Sequence, residues 1–242
     1  MTGPDATADN RYASEVEFRR EEYLRHNDRR LRHLASLALP ISGRSVLEVG
    51  AGVGDHTQFF LTRGCTIVTT DVRAENLRVL RARYPHLDVR SLDLDHPEGL
   101  EGASFDIVYC YGVLYHLTNP AEAIAFMARV CSGILLLETC VSFGEGDELH
   151  WCDEPGGHPT QSIVGRGCRP TRRWVYRRLQ DHFEHVYLPT TQPNHEEFPV
   201  DWTLAPPSRE TLIRSVFIAA RRSLRNRYLV EDLITRQTRH NQ

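Results

Sequence analysis

The sequence predicts a doubly wound α/β fold on a mostly parallel sheet, and three observations predict it. From residue 45 onward, short apolar runs alternate with helical segments, the order that a parallel sheet with crossover helices requires. The first run, Val46, Leu47 and Val49, leads into Gly50, Gly52 and Gly54, and a helix-compatible stretch from His56 to Arg63 follows. A glycine turn lets the backbone approach a ligand closely, and the helix start beyond it offers free N–H groups. Before residue 40 the pattern is helical, so a helical layer over the sheet is expected.

In chain order, Ser14 and Glu17 form a capping-box pattern, and Leu24, Leu31, Leu34 and Leu37 make a helical stripe that Asn27 or Asp28 should break in two. This layer either covers the sheet or forms a lid over the cleft, with Tyr23, Asn27 or Arg30 facing inward. Cys65–Thr70 is short and β-branched, hence a strand; Ala74–Tyr84, with Leu77 and Leu80 on one side, is an amphipathic helix. Leu87–Leu92 and Phe105–Tyr111 read as strands, Ala121–Val130 as a helix after Pro120, and Gly133–Glu138 as a fifth strand. Gly144–Pro170 holds several glycines and prolines and reads as a long loop, a length that is often functional. Thr171 is a natural N-cap for a helix to His182 with Trp174, Val175 and Leu179 on its apolar face. His185–Leu188 and Leu212–Ala219 read as two closing strands, with Thr190–Ser208 as an excursion between them.

Composition bounds the function. The chain has 242 residues, 40% of them hydrophobic and 25% charged, which suits one α/β domain with additions. No apolar run approaches a membrane span, and Met1 to Asn10 lacks the apolar centre of a signal peptide, so a cytoplasmic protein is expected. All 29 basic residues are arginine. A net charge of −3 argues against a broad nucleic-acid surface. Six cysteines without a C-x-x-C pair fit free thiols better than a disulfide framework.

The glycine spacing separates two cofactor classes. A dinucleotide fingerprint would need a third glycine where Asp55 stands, and a carboxylate facing a pyrophosphate would be repelled. The pattern is instead E-x-G-x-G-x-G from Glu48 to Gly54. A second run, Phe105-Asp106-Ile107-Val108 followed by Gly112-Val113-Leu114-Tyr115-His116-Leu117, comes at the fourth strand. Over roughly residues 45–140 the chain resembles the class I S-adenosylmethionine-dependent methyltransferases. That resemblance implies a Rossmann-like, seven-stranded sheet closed by an antiparallel hairpin, with S-adenosyl-L-methionine as cofactor.

The resemblance also implies roles. Glu48 should organise the loop and meet the cofactor's cationic amino-acid end, with Gly50, Ala51, Gly52 and Gly54 as the cradle. Asp71, with Val72, sits where a carboxylate accepts both ribose hydroxyls, although an N-cap role fits it too. Asp93 would accept the adenine amine beside the Leu94 N–H, with Asp95 as the alternative. Tyr111 should lie beside the methionine portion, and Tyr23 and Asn27 should close over the cofactor. The implied division is a flexible segment 1–12, a helical cap 13–40, a cofactor-binding core 41–140, and acceptor-site insertions with the last strands over 141–242.

An alcohol or protonated amine acceptor needs a base, and histidine is the natural one. His116 is placed best, with His195 and Glu138 as further candidates. His150, Cys152, Asp153, His158 and Cys168 invite a metal reading, but ordered ligand spacings are missing, and no metal residue is assigned. Most arginines of the Arg166–Arg178 cluster should be solvated; one or two could bind an anionic group on the substrate. The expected function is methyl transfer to an oxygen or nitrogen of a small-molecule acceptor, in secondary metabolism. The alternatives are a tRNA wobble-uridine modifying transferase, which the Gly112–Leu117 run also resembles, and a non-catalytic S-adenosylmethionine-binding partner protein. No membrane partner is expected, nucleic acid is disfavoured, and a homodimer is left open.

Overall fold

The computed structural model describes residues 14–155, 158–208 and 211–240. The expected flexible segment 1–12 lies outside them. A short helical segment over residues 14–18 precedes α1 (Glu21–Ser36). Then follow β1 (Ser45–Glu48), α2 (Thr57–Leu61), β2 (Thr66–Asp71), α3 (Ala74–Arg83), β3 (Asp88–Ser91), β4 (Phe105–Tyr111), α4 (Pro120–Val130) and β5 (Cys131–Val141). The remainder holds β6 (Leu149–Asp153), β7 (Arg166–Pro170), α5 (Arg172–Gln180), β8 (His185–Pro189), β9 (Thr191–Gln192), β10 (Ile213–Ala220), β11 (Leu229–Val230) and β12 (Thr238–Arg239).

The main sheet runs β11-β8-β10-β5-β4-β1-β2-β3. β1 pairs in parallel with β2 and β4, as do β2 with β3 and β4 with β5, while β10 is antiparallel to β5 and β8. Seven strands thus reproduce the expected sheet with its antiparallel closure, and the two-residue β11 adds an eighth at the edge. Strand order reverses between β1 and β4, the place where open α/β sheets bind ligands at the strands' carboxyl ends.

Both faces are covered, so the central strands are apolar on both sides. Along β5, Leu135 and Leu137 pack with Ile124 and Met127 of α4 and Val175 and Leu179 of α5. Leu136 faces the other way, with Leu34 of α1 and Phe59 and Phe60 of α2. Leu135 and Leu136 are fully buried, and truncating either to alanine would cost about 2–5 kcal/mol. Thr171 caps α5 as expected, its side chain accepting the Trp174 N–H at 3.2 Å.

The structure corrects several local expectations. Ser14 does not form a capping box: its hydroxyl is buried without a partner among the described residues, and Glu17 pairs with Arg20 and His158. Helix α1 runs unbroken through Asn27 and Asp28 because their side chains find partners other than the backbone. Asp28 accepts from Arg32 one turn on at 2.8 Å, and Asn27 bonds Arg30. Gly144–Pro170 is not a bare loop, since β6 and β7 pair in antiparallel register from Leu149 with Pro170 to Asp153 with Arg166. The excursion after β8 holds β9, which pairs in parallel with β12. The six cysteines are free, and all but Cys152 are buried.

Candidate active site

The glycine turn is shaped by backbone conformation. Gly50, Gly52 and Gly54 take φ of +63°, +58° and +81°, a region that side chains strain. A Cβ on Gly50 would lie 2.2 Å from Val113 Cγ2, and one on Gly52 would lie 2.8 Å from the Phe18 ring. Gly54 lies behind the turn against Leu80 and Tyr84, whose hydroxyl donates to the Gly54 carbonyl at 3.0 Å. The Ala51 N–H ties the loop to the Thr70 carbonyl at 2.8 Å.

Glu48 braces this turn from beneath. Its buried carboxylate accepts the Thr57 hydroxyl at 2.6 Å and the Thr69 hydroxyl at 2.9 Å, joining the end of β1 to α2 and β2. Burial pushes its carboxyl up to about 7, with Asp55 and Asp71 adding to the effect. The expected contact with the cofactor's amino-acid end is not what its position favours. Glu48 borders a side cavity of about 20 Å³ shared with Asn27, Ala51 and Asp55, not the main cleft. Asn27, expected over the cofactor, sits at that side cavity too, its Nδ2 3.5 Å from Asp55 Oδ2.

The main cleft encloses about 750 Å³ over the carboxyl ends of the parallel strands. Gly50, Gly52, Asp71, Val72, Asp93 and Tyr111 line one part of it. Asp71 holds its own surroundings together: Oδ2 accepts the Gly52 N–H at 2.8 Å, and Oδ1 accepts the Arg73 N–H at 2.8 Å and Asn76 Nδ2 at 3.1 Å. Burial raises its carboxyl despite these bonds. Asp95 also lines the cleft, but it accepts the backbone N–H groups of Thr118 and Asn119. Among the described residues the Asp93 carboxylate accepts the Asp95 N–H alone, at 2.9 Å, and is the freer of the two. The Leu94 side chain is buried in the core, away from the cleft. The Tyr111 ring stacks on Tyr109 at 4.4 Å, and its buried hydroxyl has no partner among the described residues, so a polar ligand atom there would satisfy it.

The other part of the cleft gathers Tyr23, His26, Tyr115, His116, His195, Glu197 and Arg214. The ring of Tyr23 meets Phe18 edge-on at 5.1 Å, and burial raises its hydroxyl pKa. His116 Nδ1 lies 2.5 Å from Glu154 Oε2, and burial lowers the imidazole's pKa against the pull of that carboxylate. His195 Nδ1 accepts the Glu197 N–H at 3.3 Å, which assigns the proton of the neutral ring to Nε2. It is therefore a donor toward the cleft, a poor fit to the base role expected of it. Glu138 does not line the cleft. It is fully buried, with Arg30 Nη1 on one oxygen at 2.9 Å and Arg214 Nη1 on the other at 3.1 Å. Both of its oxygens are taken up by guanidiniums and lie out of reach of the cleft, so its proposed base role is set aside.

His26, His195 and Glu197 bring ligand atoms within 4.8 Å of one another. The set suits a cation poorly, because the two rings pack against each other, tilted, at 4.6 Å and Glu197 already accepts Arg214 Nε at 2.5 Å. Arg30 and Arg214 also act on His26, adding to the burial that lowers its pKa.

Sequence reasoning missed Glu154, Arg214 and His26. Arg214 carries a readable signal, a lone charge in the apolar run Ile213–Ala220. Glu154 carries none while the hairpin that delivers it is read as loop.

Comparison with known proteins places this geometry in context. Residues 47–135 match the methyltransferase domain family. A methyltransferase of Mycobacterium tuberculosis (strain ATCC 25618 / H37Rv), itself uncharacterized, is 32% identical over 167 residues, covering 68% of this chain and 60% of that protein. The ubiquinone biosynthesis O-methyltransferase of Paracidovorax citrulli is 32% identical over 109 residues, covering 43% of this chain and 45% of that protein. The chain thus spans about half the length of the curated relatives it matches. The N-terminal domain of EvdMO1, solved in the presence of SAH and D-fucose, shares the fold with a TM-score of 0.65 at 21% identity, covering 90% of this chain and 98% of that one.

Proposed function

The chain belongs to the class I S-adenosylmethionine-dependent methyltransferases, and from that premise we propose that it methylates an oxygen or nitrogen of a small-molecule acceptor. The supporting observation is that the glycine cradle and the carboxylates of Asp71, Asp93 and Asp95 face one cleft. Such a setting favours a ligand that carries positive charge.

The residues present fit S-adenosylmethionine. Gly50 and Gly52 keep the turn free of side chains, Asp71 and Asp93 retain lone pairs for ribose and adenine, and the orphaned Tyr111 hydroxyl awaits a polar atom. When bound, that cofactor supplies a methyl carbon already activated on a cationic sulfur. What remains for the protein is alignment, exclusion of water and, for a hydroxyl or ammonium acceptor, removal of a proton. Phe18 and Tyr23, beside α1 and on it, wall the cleft from the cap side. His116 stands at the other part of the cleft with a neutral ring, as a base requires.

A nucleic-acid acceptor is less well supported. Asp71, Asp93, Asp95, Glu196 and Glu197 all line the cleft, and the chain carries a net charge of −3. The test is transfer of isotope-labelled methyl from S-adenosylmethionine to a panel of hydroxyl and amine compounds, with bulk tRNA in a parallel arm. Label in a small molecule supports the proposal. Label in tRNA alone, or cofactor binding with no transfer to any arm, overturns it.

A further inference from the structure

The hairpin β6–β7 ends in a carboxylate placed directly behind His116. Glu154 follows β6, and its side chain is only 2% exposed. Oε2 accepts the Ser162 N–H at 2.8 Å and stands 2.5 Å from His116 Nδ1. Arg169 Nη1 reaches Oε1 at 3.3 Å and the Tyr115 carbonyl at the same distance, so the strand β7 fixes both the acid and the segment carrying the histidine. Gly167 leaves the necessary room, since a Cβ there would lie 2.5 Å from both Glu154 Oε1 and the Tyr115 carbonyl oxygen. A buried carboxylate on Nδ1 holds the proton there and leaves Nε2 bare.

We propose that Glu154 is the positioning residue of a His116–Glu154 pair whose Nε2 takes the proton of an acceptor hydroxyl, so that the methylated atom is oxygen. The inference rests on the methyltransferase reading and deepens it. The choice of hydroxyl follows from the charges around the imidazole. Arg169 from β7 and Arg214 from β10 face it, Glu154 holds its Nδ1, and the Tyr115 ring lies tilted against it at 3.9 Å with its hydroxyl accepting Arg214 Nη2 at 3.2 Å. An ammonium acceptor would be repelled there, whereas negative charge developing on an oxygen is stabilised. In the step, an oxygen lone pair forms the bond to the donor methyl carbon, and the electrons of the broken carbon–sulfur bond stay on sulfur, neutralising the sulfonium. The hydroxyl proton moves to His116 Nε2.

The test begins on the full-length protein without ligand. Nitrogen-15 histidine NMR at pH 7.5, with the His116 signals assigned by their loss in His116→Asn, reads the tautomer directly. The expected result is a neutral ring with its proton on Nδ1, converted in Glu154→Ala, which leaves no acceptor there, to a form with Nε2 protonated. In turnover, Glu154→Gln should lower kcat about 100-fold with unchanged S-adenosylhomocysteine affinity, and label should appear on oxygen. A native ring protonated on Nε2, an unchanged tautomer in Glu154→Ala, or methyl on nitrogen would each overturn the inference. Failure to bind S-adenosylmethionine would instead remove the methyltransferase reading and leave the tautomer result standing.

Discussion

Arg30 of α1 and Glu138 of β5 meet at 2.9 Å with both side chains almost wholly buried, and this pair fastens the helical cap to the sheet. Arg214 of β10 occupies the second carboxylate oxygen and extends the chain of charges to Glu197 at the cleft. The same contacts that remove Glu138 from proton transfer make it a keystone of the fold.

Glu138→Gln should therefore act on stability. It takes from the buried Arg30 the carboxylate it pairs with, while Arg214 keeps Glu197, a change that costs about 3–5 kcal/mol. Urea unfolding followed by circular dichroism checks this. A variant as stable as the parent would mean that water or another acid compensates.

Gly52→Ala should weaken S-adenosylmethionine binding by at least about tenfold, because the residue combines left-handed backbone with a Cβ against the Phe18 ring. Gly64→Ala is the matched control: φ there is +69° and nothing lies within 4 Å of the added carbon. It should lower Tm and leave cofactor affinity alone. Equal losses of affinity in the two variants would show that general destabilisation, not the cradle, is being measured.

Asp71→Asn should reduce cofactor affinity about tenfold. The amide can satisfy only part of what the carboxylate accepts from Gly52, Arg73 and Asn76, and it offers a donor where ribose hydroxyls need an acceptor. Isothermal titration with S-adenosylhomocysteine reads the change; unaltered affinity would reduce Asp71 to a brace of the loop.

Glu48 gives the fold a pH dependence of defined sign. Its carboxyl rises from 4.5 to about 7 in the folded state, so between those values the folded chain binds the extra proton. Stability from this group is greatest below pH 4.5 and is lost as pH rises toward 7, by an amount on the order of 3 kcal/mol. Glu48→Gln removes that loss. Unfolding free energies at pH 5 and pH 7.5 should fall more steeply with pH in the parent than in the variant, and parallel profiles would contradict the assignment.

The glycine turn and Phe105–Tyr111 were legible because strand burial on both faces writes a continuous apolar run, and a left-handed turn writes glycine. The hairpin was not legible. Its first strand, Leu149-His150-Trp151-Cys152-Asp153, is half-exposed throughout and lacks the alternation that a one-sided strand shows. The unbroken α1 was hidden for a related reason: Asn27 and Asp28 weaken a helix unless side-chain partners hold them, and those partners are Arg30 and Arg32 a turn away and Asp55 across the fold. Glu138 was found at its strand end, but its two arginines come from residues 30 and 214, a meeting that only the folded chain arranges.

The measurement closest to the central claim is calorimetric titration with S-adenosylmethionine, S-adenosylhomocysteine and NAD in parallel. The glycine turn and its ring of carboxylates predict micromolar binding of the first two and none of NAD. Binding of NAD alone would contradict the account and make the glycine turn a dinucleotide cradle.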